Sequence, residues 1–129
     1  MLVVAAASGC SAVAPRDGIA VPFAAAGDAV RGRAVFLARE GGHCVLCHAV
    51  PGVAVAGDIG PPLAGVGARL DAAQLRLRVA DISRVNPDAA MPSFHRVEGL
   101  RRVAPRYAGE PALTAQQVED VVAYLGTLK

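Results

Sequence analysis

The chain is 129 residues long with a formal net charge of +2, about the length of one domain and too weakly basic to argue for a nucleic-acid partner. Its basic charge is 12 Arg against a single Lys, the last residue. Although 53% of the residues are hydrophobic, none is Trp and only Phe23, Phe36, Phe94, Tyr107 and Tyr124 are aromatic. Ala and Val supply much of the apolar content, and each buries little area, so at ~25 cal/mol per Å² the core is thin. A large flat apolar cofactor would fill it.

The first residues read as an export leader over 1–14. Met1 to Ala7 is apolar, and Ala7-Ser8-Gly9-Cys10 resembles a bacterial lipobox, cut before Cys10 with lipid added to that thiol. The competing site is Ala12-Val13-Ala14, of the A-x-A kind, with Pro15 after it as an obstacle. Both readings place the mature chain in the periplasm, and the first adds a lipid anchor to the membrane through Cys10. No positive residue precedes the apolar run, and the run is far short of the ~20 residues of a membrane span. Residues 15–26 are rich in Ala, Pro and Gly without a sustained period and read as a flexible tether. The folded domain is expected over 27–129.

Within that domain, Asp28 is placed to cap a helix through Phe36 to about Arg39, stopped by Gly41-Gly42. Gly32 inside it costs ~1 kcal/mol relative to Ala, which a close helix contact would explain. Residues 43–48 follow, then a Gly/Pro-rich loop, Val50 to Gly67, containing Gly60-Pro61-Pro62-Leu63. Asp71 and Gln74 form a capping-box start for a helix with Leu75 and Val79 on one face, and Asn86-Pro87 ends it. Another irregular stretch holds Met91-Pro92. Thr114 and Gln117 start a last helix, whose Val118, Val121, Val122, Leu125 and Leu128 give a 3.6-period stripe. No strand alternation and no internal repeat appear. Three helices with long loops predict an all-α helical bundle wrapped around a cofactor, since loops beyond roughly 12–15 residues usually have a functional reason.

Cys44-Val45-Leu46-Cys47-His48 carries the chemistry. Two thiols one turn apart reach the two vinyl groups of a haem and form thioethers, and His48 then lies under the iron. A zinc site would need four N/S ligands, and beyond this motif only His43, His95 and Cys10 could contribute. A redox disulfide of the thioredoxin kind wants a strand before the motif; here a helix and Gly41-Gly42 precede it. One covalent haem c is the reading the flanks support. For the sixth ligand, Met91 is the only methionine after Met1 and sits in a loop stiffened by Pro87 and Pro92. A His/Met pair also raises the reduction potential. His95 is the rival, and His43 is too close to the attachment site to cross the haem plane. A carbonyl of Pro61 or Pro62 is available to receive the other ring N–H of His48 and fix its orientation. The Phe94 to Tyr107 stretch holds Arg96, Arg101, Arg102 and Arg106 against only Glu98, a docking face for an acidic partner.

On Gly42-His43-Cys44-Val45-Leu46-Cys47-His48, Gly60-Pro61-Pro62-Leu63, Asn86-Pro87 with Met91-Pro92-Ser93-Phe94, Gly99-Leu100-Arg101-Arg102-Val103-Ala104, and the run from Leu113 to Leu125, the chain resembles the SoxX family. These are the monohaem c-type cytochrome subunits of the periplasmic sulfur-oxidation system. The resemblance covers nearly all of 27–129. It implies a class I cytochrome c fold with Met91 as distal ligand. It also implies a SoxA-like haem protein as partner in a heterodimer that joins thiosulfate oxidatively to a cysteine of a carrier protein, an L-cysteine S-thiosulfotransferase type of complex. The cytochrome would accept electrons, pass them to a downstream electron carrier, and not be catalytic alone. The alternative is a stand-alone monohaem carrier serving a terminal oxidase. The candidate lipobox departs from the plain leader of the family.

Overall fold

The computed structural model describes residues 17–129. The expected leader, the cleavage sites and Cys10 lie outside the described residues. The α-helices are α1 (Ala29–Leu37), α2 (Val66–Arg69), α3 (Ala72–Asp81) and α4 (Ala115–Thr127), with single 3₁₀ turns at Cys44–Leu46, Ile82–Arg84 and Pro105–Tyr107. Among the described residues there is no strand. None of the described helices is long and apolar enough to cross a membrane.

Each long helix begins where its cap dictates. The Asp28 carboxylate accepts from the Arg31 N–H at 2.8 Å and starts α1. In α3 the Asp71 carboxylate accepts from the Gln74 N–H, while the Gln74 side chain accepts from the Asp71 N–H. Thr114 and Gln117 repeat that reciprocal pair in α4. Each box satisfies two donors that a helix start otherwise leaves unpaired. The α-helical part of α3 closes at Asp81, earlier than Asn86-Pro87, and the chain tightens into the 3₁₀ turn Ile82–Arg84. Such tightening is common at helix ends. The four-residue α2, opened by Gly65 in the left-handed region, was not visible as a periodic pattern.

The scaffold is α4 with α1 and α3 packed on it. At the α1–α4 crossing, a Cβ on Gly32 would run into the Asp120 carbonyl of α4, backbone that cannot yield. The close contact expected at this glycine is there. Phe36 and Tyr124 meet edge to face with centroids 5.5 Å apart. Val118, Val121, Val122 and Leu125 are buried as their spacing predicts, and Leu128 packs at the margin. Leu75, Val79, Phe94 and Leu113 complete this core from α3 and the loops.

α4 also buries two carboxylates. Arg76 of α3 grips Glu119 through two bonds of 2.8 Å, with both side chains nearly inaccessible. Asp120 receives the Arg31 guanidinium through two bonds of 2.9 Å and the Asp28 N–H at 2.8 Å. The Arg31 bonds lead in holding Asp120 down to about 2.

These buried charges also bind the segment 17–26, so the described part of the tether expected over 15–26 is fixed rather than flexible. The Ile19 N–H donates to the Ala73 carbonyl, the Ile19 carbonyl accepts from Arg76 at 2.6 Å, and the Phe23 N–H donates to Glu119 at 2.9 Å. Phe23 lies over His95 at 4.8 Å between centroids. The segment is a strap, fixed because its main-chain groups complete the bonding of a buried ion pair.

Candidate haem site

α1 ends at Leu37, and the chain turns through His43, held in the left-handed region, into the 3₁₀ turn Cys44–Leu46. The His48 N–H donates to the Cys44 carbonyl at 2.9 Å, so Cys44, Cys47 and His48 belong to one helical turn. The following loop folds back under this turn. The Gly57 N–H donates to the Val45 carbonyl, the Gly60 N–H to the Cys47 carbonyl at 2.8 Å, and the Leu63 N–H to the Ala49 carbonyl. That return brings the Pro61 carbonyl 2.7 Å from His48 Nδ1. A carbonyl only accepts, so Nδ1 carries the proton and Nε2 keeps its lone pair for a metal. Of the two prolines expected beside His48, Pro61 makes the contact. Gly60 completes the seat: a Cβ there would run into the His48 ring, 2.7 Å from Nδ1.

Cys44 and Cys47 are half-buried and not joined in a disulfide. Burial pushes the Cys44 thiol up to about 12. Among the described residues no group of three or more His, Cys, Asp or Glu side chains gathers as a metal site. The residues do fit a haem: two thiols and an oriented imidazole on one turn, with the ring nitrogen farther from Pro61 free to ligate.

Met91 lies in the loop after the Ile82–Arg84 turn, partly buried and packed against the core, as Cys44 and Leu63 are. His95 is engaged elsewhere. Its Nδ1 bonds the Leu113 carbonyl at 2.9 Å, and its ring faces Phe23 in a groove lined by Ile19, Ala80, Asp81, Arg84 and Arg96. His43 is the cap residue of the attachment turn itself.

The arginine stretch divides. Arg96 turns inward to Asp81 and Ser83 and so leaves the expected docking face. Arg101, Arg102 and Arg106 are exposed and, among the described residues, form no ion pair. Arg102 holds φ +57, and Val97, Leu100 and Val103 of the same stretch are exposed. Beside them is a cavity of about 310 Å³ lined in part by Leu100, Arg101, Val103 and Tyr107.

Sequence reasoning missed the buried charges Arg76, Glu119 and Asp120, and also Asp81. No motif marks them; a charged residue on an otherwise apolar helix face was the available signal for Glu119 and Asp120.

The cytochrome c family model matches residues 29–129. No curated protein matches the chain. Among solved structures, a chain of SoxXA from P. pantotrophus is 39% identical, with a TM-score of 0.74 over 81% of this chain and 84% of that one. The c-type cytochrome SorU from Sinorhizobium meliloti is 25% identical, with a TM-score of 0.50 over 77% of this chain and 87% of that one. The helical fold, the attachment turn with its oriented imidazole, and these matches agree: the chain belongs to the cytochrome c family, is of the SoxX type with the class I all-α fold, and transfers electrons through one covalently bound haem c.

Proposed function

We propose that this chain is the electron-accepting subunit of a periplasmic SoxXA-type complex that joins thiosulfate to a cysteine of a carrier protein. The likeness to the SoxXA chain over most of both lengths carries the reading. In this reading Cys44 and Cys47 are the thioether positions, His48 is the proximal ligand, and Met91 is the distal one. The Pro61 carbonyl keeps His48 in the ligating tautomer. Met91 is preferred to His95 because the His95 ring lies against Phe23 in the groove shared with Ile19 and Ala80.

Bound haem supplies a one-electron couple. Joining thiosulfate to a thiol forms one S–S bond, breaks one S–H bond, and releases a proton and two electrons. Among the described residues no reactive thiolate is left for that bond, since Cys44 and Cys47 are taken by attachment, and in this reading Cys10 is acylated or removed with the leader. With His48 and Met91 both ligating, no coordination position is left for substrate. The reactive sulfur therefore belongs to a SoxA-like haem partner, and two electrons leave singly through this subunit toward a downstream carrier.

Arg101, Arg102 and Arg106, with the exposed Val97, Leu100 and Val103 of the same stretch, form the surface assigned to that partner. Exposed basic groups accompanied by apolar side chains fit a partner face that carries acidic groups. The lipid anchor through Cys10 belongs to the same reading, and Cys10→Ser should move the protein from membrane pellet to soluble fraction. The functional test is turnover with thiosulfate and the carrier thiol. The isolated chain should be inactive and become active when a SoxA-like protein is added. Robust turnover by the chain alone contradicts the proposal.

A further inference from the structure

Asp81, the last residue of α3, is the centre of a polar cluster that the haem motif does not use. Its Oδ1 accepts from the Ser83 hydroxyl at 2.5 Å, the Ser93 hydroxyl at 2.8 Å and Arg96 Nη1 at 3.3 Å. Arg96 closes the cluster by donating to Ser83 at 2.6 Å and to the Gly99 carbonyl at 3.2 Å. Burial alone would raise the Asp81 carboxyl, but the bonds from Ser83 and Ser93 and the Arg96 charge outweigh it and hold the group below its ordinary value. It therefore accepts as an anion at neutral pH, the stronger kind of hydrogen bond.

The position of Ser93 gives this cluster its meaning. Ser93 is two residues beyond Met91, and Pro92 between them has no N–H to donate. On the upstream side, the bonds of Asp88 and Ala89 reach only to Asn86 within the same loop. On the downstream side, the loop is tied to α3 by Ser93 to Asp81, by the Phe94 N–H to the Val79 carbonyl, and by the His95 N–H to the Ala80 carbonyl. Of these three ties, the one nearest Met91 is the Ser93 hydroxyl.

We infer that Asp81 is a positioning residue for the distal ligand: by gripping Ser93 it fixes the loop end that presents the Met91 sulfur to the haem iron. The inference rests on the reading of Met91 as that ligand. A neutral thioether is a weak donor, and its bond to iron competes with any free ligand in solution. Holding the loop in place removes the entropy that ligation would otherwise cost, which raises the sulfur's effective concentration. Loosening the grip leaves the sulfur chemically unchanged but easier to displace.

The test uses the holoprotein, with imidazole as the competing ligand and the sulfur-to-iron charge-transfer band of the ferric protein as readout. Asp81→Asn removes the anionic acceptor while keeping the shape, and Ser93→Ala removes one hydroxyl in case Asp81→Asn does not fold. Imidazole should bleach the band at about tenfold lower concentration in Asp81→Asn, a shift of ~1.4 kcal/mol, and less sharply lower in Ser93→Ala. Thermal midpoints are read alongside, and the gain in imidazole sensitivity should persist at temperatures where the variants are fully folded. Wild-type imidazole sensitivity in both variants, or lost thermal stability with unchanged sensitivity, overturns the positioning role. Met91→Leu separates the two readings. If it keeps the band, the ligand assignment falls and this inference with it. If it loses the band while the other variants titrate like wild type, only the positioning role fails.

Discussion

The α1–α4 side of the molecule and the loops that carry the haem motif and Met91 are built on different principles. Between α1 and α4 the contact is dense and backbone-close: Gly32 lies against the Asp120 carbonyl, Phe36 against Tyr124, and Arg31 against Asp120. The loops over residues 43–65 and 86–112 are held by scattered hydrogen bonds, among them Gly60 to Cys47, His48 to Pro61 and Ser93 to Asp81, with Val50 and Phe94 reaching into the core. The first region is stabilised by its own side chains. The second carries the atoms proposed to meet the haem. Substitutions on the helical side should therefore change stability and spare the iron spectrum, and substitutions in the loops should do the reverse.

The largest effect is expected at Glu119. Glu119→Ala leaves the Arg76 guanidinium buried without its partner and strips the Phe23 N–H of its acceptor. Unpairing a buried charge costs about 3–5 kcal/mol, and chemical denaturation of the holoprotein measures it. An unchanged midpoint would show that the strap and the α3–α4 pair contribute nothing.

Next is a matched pair of glycines. Gly32→Ala forces α1 away from α4 and should cost about 1–3 kcal/mol with the same ferric spectrum. Gly60→Ala presses on the His48 ring and should raise the high-spin fraction with a smaller change in unfolding midpoint. Identical phenotypes in the two would erase the distinction between scaffold and site.

Acid separates the regions again. The Asp120 carboxyl is held down to about 2, chiefly by the Arg31 hydrogen bonds. A lowered folded-state pKa stabilises the fold above the ordinary carboxylate range, and that contribution is lost as pH falls toward 2. Asp120→Asn should flatten the acid limb of the stability profile. The smallest effect belongs to Thr114→Ala, which removes half of the α4 capping box for about 1 kcal/mol.

The same division decides what the sequence could disclose. Asp28, the Asp71/Gln74 and Thr114/Gln117 boxes, and the α4 stripe act within a few residues, so their spacing alone reveals them. Cys44, Cys47 and His48 are equally local. Gly32 was legible as an anomaly, a helix-interior glycine that needed a neighbour. The strap was not legible, because Ile19 and Phe23 bind through main-chain atoms to Arg76 and Glu119, far along the chain. Composition saw only Ala, Pro and Gly there. Nor does any spacing say that Asp81 would draw in Ser83, Ser93 and Arg96, or that Arg96 would leave the basic face its neighbours form. Between Pro61 and Pro62 the choice depends on the return of the loop, set by Gly57 and Gly60.

The most direct test of the account is peptide mapping of the holoprotein, purified from a host able to attach haem, after acid-acetone extraction and thiol alkylation. The account predicts that the peptide spanning Cys44 to His48 carries one haem, with neither cysteine alkylated. Extractable haem with both Cys44 and Cys47 alkylated would contradict it.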